Sequence, residues 1–247
     1  TGNDGNVYQG RLRFTIIEHD VKKIPRTKTK IMLNVAMPDT AFEASFLPNS
    51  GVGLAREEFI IASKIGIHPL ALLHVDKQNP SVRARILKKT RGWKNVIDFY
   101  VENLAFGIAK IGVAFYPNPV IVRFSDFKTN EYRTLLGGEM YEPQEENPML
   151  GWRGASRYYD PKFKDAFILE CLAIKKVRYE MGLTNVIPMV PFCRTPEEAQ
   201  KTLEIMAFAG LMTNFIARKR KVAPQRITPV YVMCEIPSNV LCADEFL

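Results

Sequence analysis

The 247-residue chain is poor in the residues from which metal centres and disulfide frameworks are built: it has three histidines and four cysteines. Cys171, Cys193, Cys234 and Cys242 form no C-x-x-C pair and have no histidine cluster to match. That argues against a zinc site and for reduced thiols in a cytoplasmic setting. No apolar run approaches the length of a membrane span. The opening residues, Thr1 to Gly10, are polar and glycine-rich, unlike a secretion signal. The G-x-G-x-x-G fingerprint of the doubly wound nucleotide folds is missing too, since Gly51-Val52-Gly53 has no third glycine in register. His19, His68 and His74 are scattered. His68 and His74 flank a Pro-Leu-Ala-Leu-Leu segment and read as packing or surface residues rather than ligands.

What is present can build a core. A hydrophobic fraction of 47% over this length suffices for one large α/β domain. The net charge of +8, from 34 basic and 26 acidic residues, suits anionic small molecules as well as nucleic acid. The densest basic run, Arg218 to Lys221, fits a helix C-terminus better than a nucleic-acid patch, because no aromatic residues interleave it. Neither a nucleic-acid nor a membrane partner is expected.

Six apolar, β-branched stretches read as strands: Lys30–Val35, Val52–Ala55, Val120–Phe124, Met149–Ala155, Val186–Phe192 and Thr228–Glu235. Helical patterns separate them. These include a long region from Arg83 to Ile111, broken near Gly92, and a stripe of Phe163, Phe167, Cys171, Ile174 and Val177. A further helix runs from the capping box at Thr195 to about Ala217. Before them, Val7–Gly10 reads as a brief strand and the basic segment Val21–Lys30, with Pro25, as a linker. Lys128–Asn147 reads as a long loop, which in a compact domain is usually functional. Strands alternating with helices, without hairpins, mean a parallel sheet with right-handed crossovers. Polar residues recur where strands end, which is where a (β/α)8 TIM-type barrel keeps its site. The expected fold is therefore α/β, a (β/α)8 barrel represented by about six of its eight units.

The candidate site follows from those strand ends. The run Val230 to Val240 carries one carboxylate, Glu235, before stopping at Pro237. Buried at a strand end, such a group needs a cation. Arg56, Arg123 and Arg153 end three other predicted strands, and the planar guanidinium fork matches phosphate or carboxylate bidentately. Cations with one carboxylate suit a phosphorylated or carboxylated small molecule bound with Mg2+, a hard ion that prefers oxygen ligands.

Several longer motifs then carry a resemblance. They are Gly51-Val-Gly-Leu-Ala-Arg56-Glu-Glu-Phe59, Ile65-Gly-Ile-His-Pro69, Val122-Arg123-Phe-Ser-Asp126, Asn130-Glu-Tyr132, Glu145-Glu-Asn-Pro-Met-Leu-Gly-Trp-Arg153-Gly-Ala-Ser-Arg157 and Met233-Cys-Glu235-Ile-Pro-Ser-Asn239. Together, in register from about Val7 to Leu247, they resemble the phosphoenolpyruvate synthase (pyruvate, water dikinase) family of PEP-utilising enzymes. The resemblance implies a phosphotransferase that makes phosphoenolpyruvate, AMP and phosphate from pyruvate, ATP and water through a phosphohistidine. It implies that Arg56 and Arg123 are catalytic and hold the transferring phosphoryl group. Arg153 would help to bind the substrate, and Glu235 would ligate Mg2+.

It also divides the chain. Residues 1–20 resemble the tail of the family's swivelling phosphohistidine domain with its linker, and residues 21–247 the pyruvate- and PEP-binding barrel without its carboxyl-terminal part. The ATP-grasp domain, the phosphohistidine segment and the last barrel strands have no counterpart here, and none of the three histidines sits in a phosphohistidine context. The implied partners are pyruvate, phosphoenolpyruvate, those other domains of the same enzyme and further copies of the chain. The polypeptide alone is expected to be an inactive fragment. Pyruvate phosphate dikinase shares the arginines and the glutamate but differs in the loop after Arg123. A non-catalytic binding protein derived from the barrel is the other alternative.

Overall fold

The computed structural model describes residues 5–18, 20–25, 27–221 and 226–246. Residues 5–18 are irregular and exposed, so the brief strand expected at Val7–Gly10 does not form. A two-stranded pairing needs a neighbour, and none lies beside this segment among the described residues. A single 3-10 turn, Val21–Lys23, interrupts the linker-like stretch that follows. His19 lies outside the described residues.

Five parallel strands form one sheet: β1 (Leu33–Val35), β2 (Val52–Arg56), β3 (Val120–Arg123), β4 (Val186–Val190) and β5 (Tyr231–Val232). Their spatial order is their chain order, β1-β2-β3-β4-β5. A doubly wound sheet would reverse direction part-way; this one never does. The sheet is α/β and open, and a run of sequential parallel strands is compatible with an arc of a (β/α)8 barrel.

The strand expected at Met149–Ala155 is absent, which reduces six predicted strands to five. Residues 149–154 are turns and bends, and a short helix begins at Ala155. Met149 and Leu150 are exposed rather than packed in a sheet, and two glycines within seven residues oppose an extended ladder. The expected sixth strand, Thr228–Glu235, contracts to Tyr231–Val232.

Helices cover the connections. After β1 comes α1 (Ala41–Ser45), and after β2 comes α2 (Glu57–Ile60), which runs on as a wider turn through Ile65. Then come α3 (Pro69–Leu73), α4 (Pro80–Lys89) and α5 (Val96–Ala114). The break near Gly92 falls between α4 and α5, where that glycine has a left-handed φ of 90°. α5 starts where the Asn95 side chain accepts the Asp98 amide at 2.8 Å. It buries Phe99, Leu104, Ile108 and Ile111.

Beyond β3, the expected loop contains α6 (Thr129–Thr134) before α7 (Ala155–Tyr158). α8 (Lys164–Lys175) packs against α5, and its stripe of Phe167, Cys171 and Ile174 is fully buried. The single helix expected after Thr195 is two, α9 (Pro196–Phe208) and α10 (Asn214–Arg220). They separate around Gly210, whose φ of 99° ends α9. α11 (Pro237–Leu241) and α12 (Ala243–Phe246) follow β5. Among the described residues, no helix is long and apolar enough to cross a membrane.

Gly51 shows how tightly the sheet's first turn is built. Its φ is 117°, and a Cβ there would collide with the Pro119 carbonyl oxygen. That carbonyl receives the Val52 amide at 2.9 Å, so it cannot retreat freely. Gly51→Ala is therefore expected to lower the unfolding free energy by about 1–3 kcal/mol, read as a shift in the urea midpoint.

Candidate functional site

β2 and β3 end in register, with Arg56 opposite Arg123. The same level continues through Arg123 opposite Met189 and Met189 opposite Tyr231. Residues in register on parallel strands project to the same face, so Arg56 and Arg123 leave the sheet side by side at its carboxyl end. Both line a cleft of about 620 Å3, and Arg153 lines it as well. Arg153 does not sit at a strand end, as the sequence suggested. It belongs to the segment between β3 and α7 and reaches back to the cleft.

Two carboxylates hold these arginines. Glu58, in α2, pairs its Oε1 with Nη2 of Arg123 at 2.5 Å and accepts the Asp126 amide at 2.7 Å. Asp126, three residues past β3, receives Nε and Nη2 of Arg153 at 3.0 and 2.6 Å, a bidentate pair. Its Oδ2 also lies 3.3 Å from Nη1 of Arg123. Burial alone would lower the Arg123 pKa, but the charges of Glu58 and Asp126 outweigh it and hold the pKa above its ordinary value. Burial pushes Glu58 up, against the Arg123 charge. Arg56 differs: it has no carboxylate partner among the described residues, and its guanidinium lies 5.8 Å from the Phe59 ring.

Glu235 lies at the same end of the sheet, three residues beyond β5. Its Oε1 accepts the Phe192 amide at 2.7 Å, and its Oε2 has no partner among the described residues. The Asn239 side chain fixes the backbone here, accepting the amides of Glu235 and Ile236 at 3.2 Å each and donating to the Cys193 carbonyl at 2.8 Å. Glu235 is close enough to Arg153 for its charge to raise that arginine's pKa, after burial and Asp126 have acted. The four predicted residues thus gather at one end of the sheet.

As a place for a hard cation, Glu235 offers an oxygen donor with spare capacity. Among the described residues no group of three or more His, Cys, Asp or Glu converges. An ion held there would keep substrate oxygens and water as its remaining ligands, which is how Mg2+ is commonly bound. The residues present fit Mg2+ on those terms.

The family model for the PEP-binding domain of PEP-utilising enzymes matches residues 16–247. The chain belongs to that family. Among its curated relatives, phosphoenolpyruvate synthase of Synechocystis is 52% identical over 247 residues, which is 99% of this chain and 29% of that protein. The Escherichia coli enzyme of the same name is 49% identical over 246 residues, 100% of this chain and 30% of that protein. That of Aquifex aeolicus is 45% identical over 291 residues, 99% of this chain and 33% of that protein. The chain therefore spans about a third of the length of the curated relatives it matches.

Sequence reasoning missed the counter-charges of this PEP-binding domain. Glu57 and Glu58 read as acids favouring a helix N-terminus, yet Glu57 is fully buried and Glu58 pairs with Arg123. Asp126 registered only as polar chemistry after a strand. Phe192 and Arg194 carried no signal, because their contacts come from other parts of the chain.

Beneath the cleft lies a second carboxyl pair, Glu57 and Glu170, both fully buried. Glu170 accepts the Ser125 amide at 3.0 Å and the Ser125 hydroxyl at 2.6 Å, so it anchors the turn after β3. Burial, then the Glu170 charge, raises the Glu57 pKa well above its ordinary value. Burial pushes Glu170 up to about 7, although its bonds from Ser125 oppose the shift. Both folded pKa values exceed the unfolded ones. The stability that Glu170 contributes is complete below the ordinary carboxyl pKa of 4.5 and is lost as pH rises through about 7, and that of Glu57 is lost in the same direction. The urea midpoint should fall across that interval, and Glu57→Gln should flatten the fall by about 1–3 kcal/mol in unfolding free energy. An identical pH profile in the variant would show that Glu57 does not titrate with a raised pKa in the folded chain.

Proposed function

We propose that this cleft binds pyruvate and phosphoenolpyruvate with Mg2+, and that the chain is the substrate-binding part of a phosphoenolpyruvate synthase. The full enzyme would convert pyruvate, ATP and water to phosphoenolpyruvate, AMP and phosphate by way of a phosphohistidine. The observation that carries this reading is the in-register pair Arg56 and Arg123, joined by Arg153 on one cleft, with Glu235 near Arg153 at the same end of the sheet.

Phosphoryl transfer depends mainly on positioning and charge neutralisation. Arg56, with no carboxylate of its own, and Arg123, braced by Glu58 and Asp126, would take the phosphoryl oxygens. Their bases are fixed by the sheet, so little reorganisation accompanies the transfer. Arg153, held rigid by Asp126, would orient the substrate carboxylate. Mg2+ on Glu235 would polarise the carbonyl oxygen of pyruvate and stabilise the enolate.

The phosphohistidine and ATP-grasp functions belong to other domains, so residues 1–20 would join the swivelling domain and residues 21–247 would be the barrel part. Four cysteines without disulfides support a cytoplasmic setting.

The test is calorimetry of the 247-residue chain with phosphoenolpyruvate in the presence of Mg2+. Binding is expected, without pyruvate-dependent consumption of ATP. Arg123→Lys should weaken it about 10- to 100-fold, since a point charge cannot replace the planar fork. Glu235→Gln should remove the Mg2+ dependence. Absence of binding by the wild-type chain, or an affinity untouched by Arg123→Lys, would refute the assignment.

A further inference from the structure

Phe192 joins three segments that the proposed site needs, beyond the ends of β3, β4 and β5. It is one of two non-glycine residues with a left-handed backbone among the described residues, at φ 42°. Such a conformation is strained for a bulky side chain and persists only where the surroundings hold it. Here two surroundings do. The strained turn directs the Phe192 amide at Oε1 of Glu235, 2.7 Å away. The ring lies under two guanidiniums, with the terminal carbons of Arg153 and Arg194 each 4.7 Å from its centroid.

The contacts are reciprocal. Gly154, next to Arg153, has φ 60°, and a Cβ there would strike the Phe192 side chain and the Pro191 carbonyl. Arg194 donates to the Gly151 carbonyl at 2.7 Å and to the Ser156 hydroxyl at 3.1 Å, closing the Arg153 segment from its other side. The loop after β3, the loop after β4 and the end of β5 thus meet on one residue.

We infer that Phe192 is a positioning residue: its ring fixes the Arg153 guanidinium and its backbone amide fixes the Glu235 carboxylate, so that one residue sets the spacing between the anion-binding and cation-binding ends of the site. The inference rests on the ligand reading above for its consequence, but its geometry can be read without ligand. A phenylalanine suits both tasks. Its face attracts a guanidinium through the ring quadrupole without neutralising it, leaving the charge available to an anion. Its backbone donor adds a hydrogen bond to an ionised carboxylate without adding charge.

The experiment compares Phe192→Gly, Phe192→Tyr and Glu235→Gln in the 15N-labelled 247-residue chain. Glycine accepts the left-handed backbone and keeps the amide, so Phe192→Gly should retain or raise the urea midpoint while removing only the ring. The ring should hold the Arg153 Nε–H resonance upfield of the position its Asp126 bond alone would give, so this resonance should move downfield in Phe192→Gly and stay in place in Phe192→Tyr. The amide proton of residue 192 should move in Glu235→Gln. With Mg2+ present, phosphoenolpyruvate should bind about tenfold more weakly to Phe192→Gly and within about twofold of wild type to Phe192→Tyr.

An Arg153 resonance indifferent to Phe192→Gly, or a residue 192 amide indifferent to Glu235→Gln, overturns the inference whatever the chain binds. Unchanged affinity in Phe192→Gly overturns it as well. A wild-type chain that binds no phosphoenolpyruvate refutes the ligand reading instead, and the two resonances then decide the positioning role by themselves.

Discussion

The Asp126 carboxylate is the interaction on which the cleft depends. Two guanidiniums from separate segments, Arg123 at the end of β3 and Arg153 far along the following connection, converge on its Oδ2. Like charges at about 4 Å repel by about 4 kcal/mol at the effective permittivity of a protein surface. The arginines can share one wall only because a carboxylate lies between them. That carboxylate is itself almost withdrawn from water, its side chain 1% exposed, so it would be costly without both partners. Glu58 completes the arrangement by accepting the Asp126 amide and pairing with Arg123. The result is a preorganised cationic wall with Arg56 left free of any carboxylate among the described residues.

The supports of this wall are buried and polar, which makes them specific. Ser125, adjacent to Asp126, is fixed from below by Glu170, by the Tyr132 hydroxyl at 2.6 Å and through its carbonyl by the Tyr158 hydroxyl at 2.7 Å. Farther along, His68, Glu142 and Arg157 form a buried cluster. The Leu70 amide donates to Nδ1 of His68, so Nε2 carries the proton towards Glu142, 2.9 Å away. Burial lowers the His68 pKa and keeps the ring neutral. Arg157 pairs with the same Glu142, and its guanidinium lies 4.1–4.4 Å from the centroids of Trp152, Tyr132 and Phe163. The long connection after β3 is therefore pinned at Glu142 and Arg157, on either side of the stretch that bears Arg153. A loop of this length otherwise wanders, and here it holds the Arg153 guanidinium in place.

Much of the scaffold was legible from residue pattern. Apolar, β-branched stretches located β1 to β5, and the buried stripe of α8 and the break at Gly92 followed from spacing and glycine chemistry. The errors share a cause. Met149–Ala155 has strand-like letters but is a loop pinned at Trp152, whose ring meets Phe163 and whose amide donates to Glu145, contacts that no local pattern shows. Lys128–Asn147 looked structureless, yet α6 forms there because its Glu131 carboxylate returns to cap the Lys128 amide at 2.8 Å.

The sequence by itself determined the chemistry of the charged groups. The arginine forks at Arg56, Arg123 and Arg153 and the carboxylate at Glu235 follow from residue type, and the strand ends set the side of the sheet for Arg56, Arg123 and Glu235, whereas Arg153 reaches it from a loop. Tertiary structure alone decided how those charges coexist. Asp126, Glu58, Phe192 and Arg194 act across 27 to 68 residues of chain, and no local pattern encodes a contact whose two halves are held together only by the sheet. Charge type is a property of one residue, whereas charge compensation is a property of two residues and the distance the fold imposes between them.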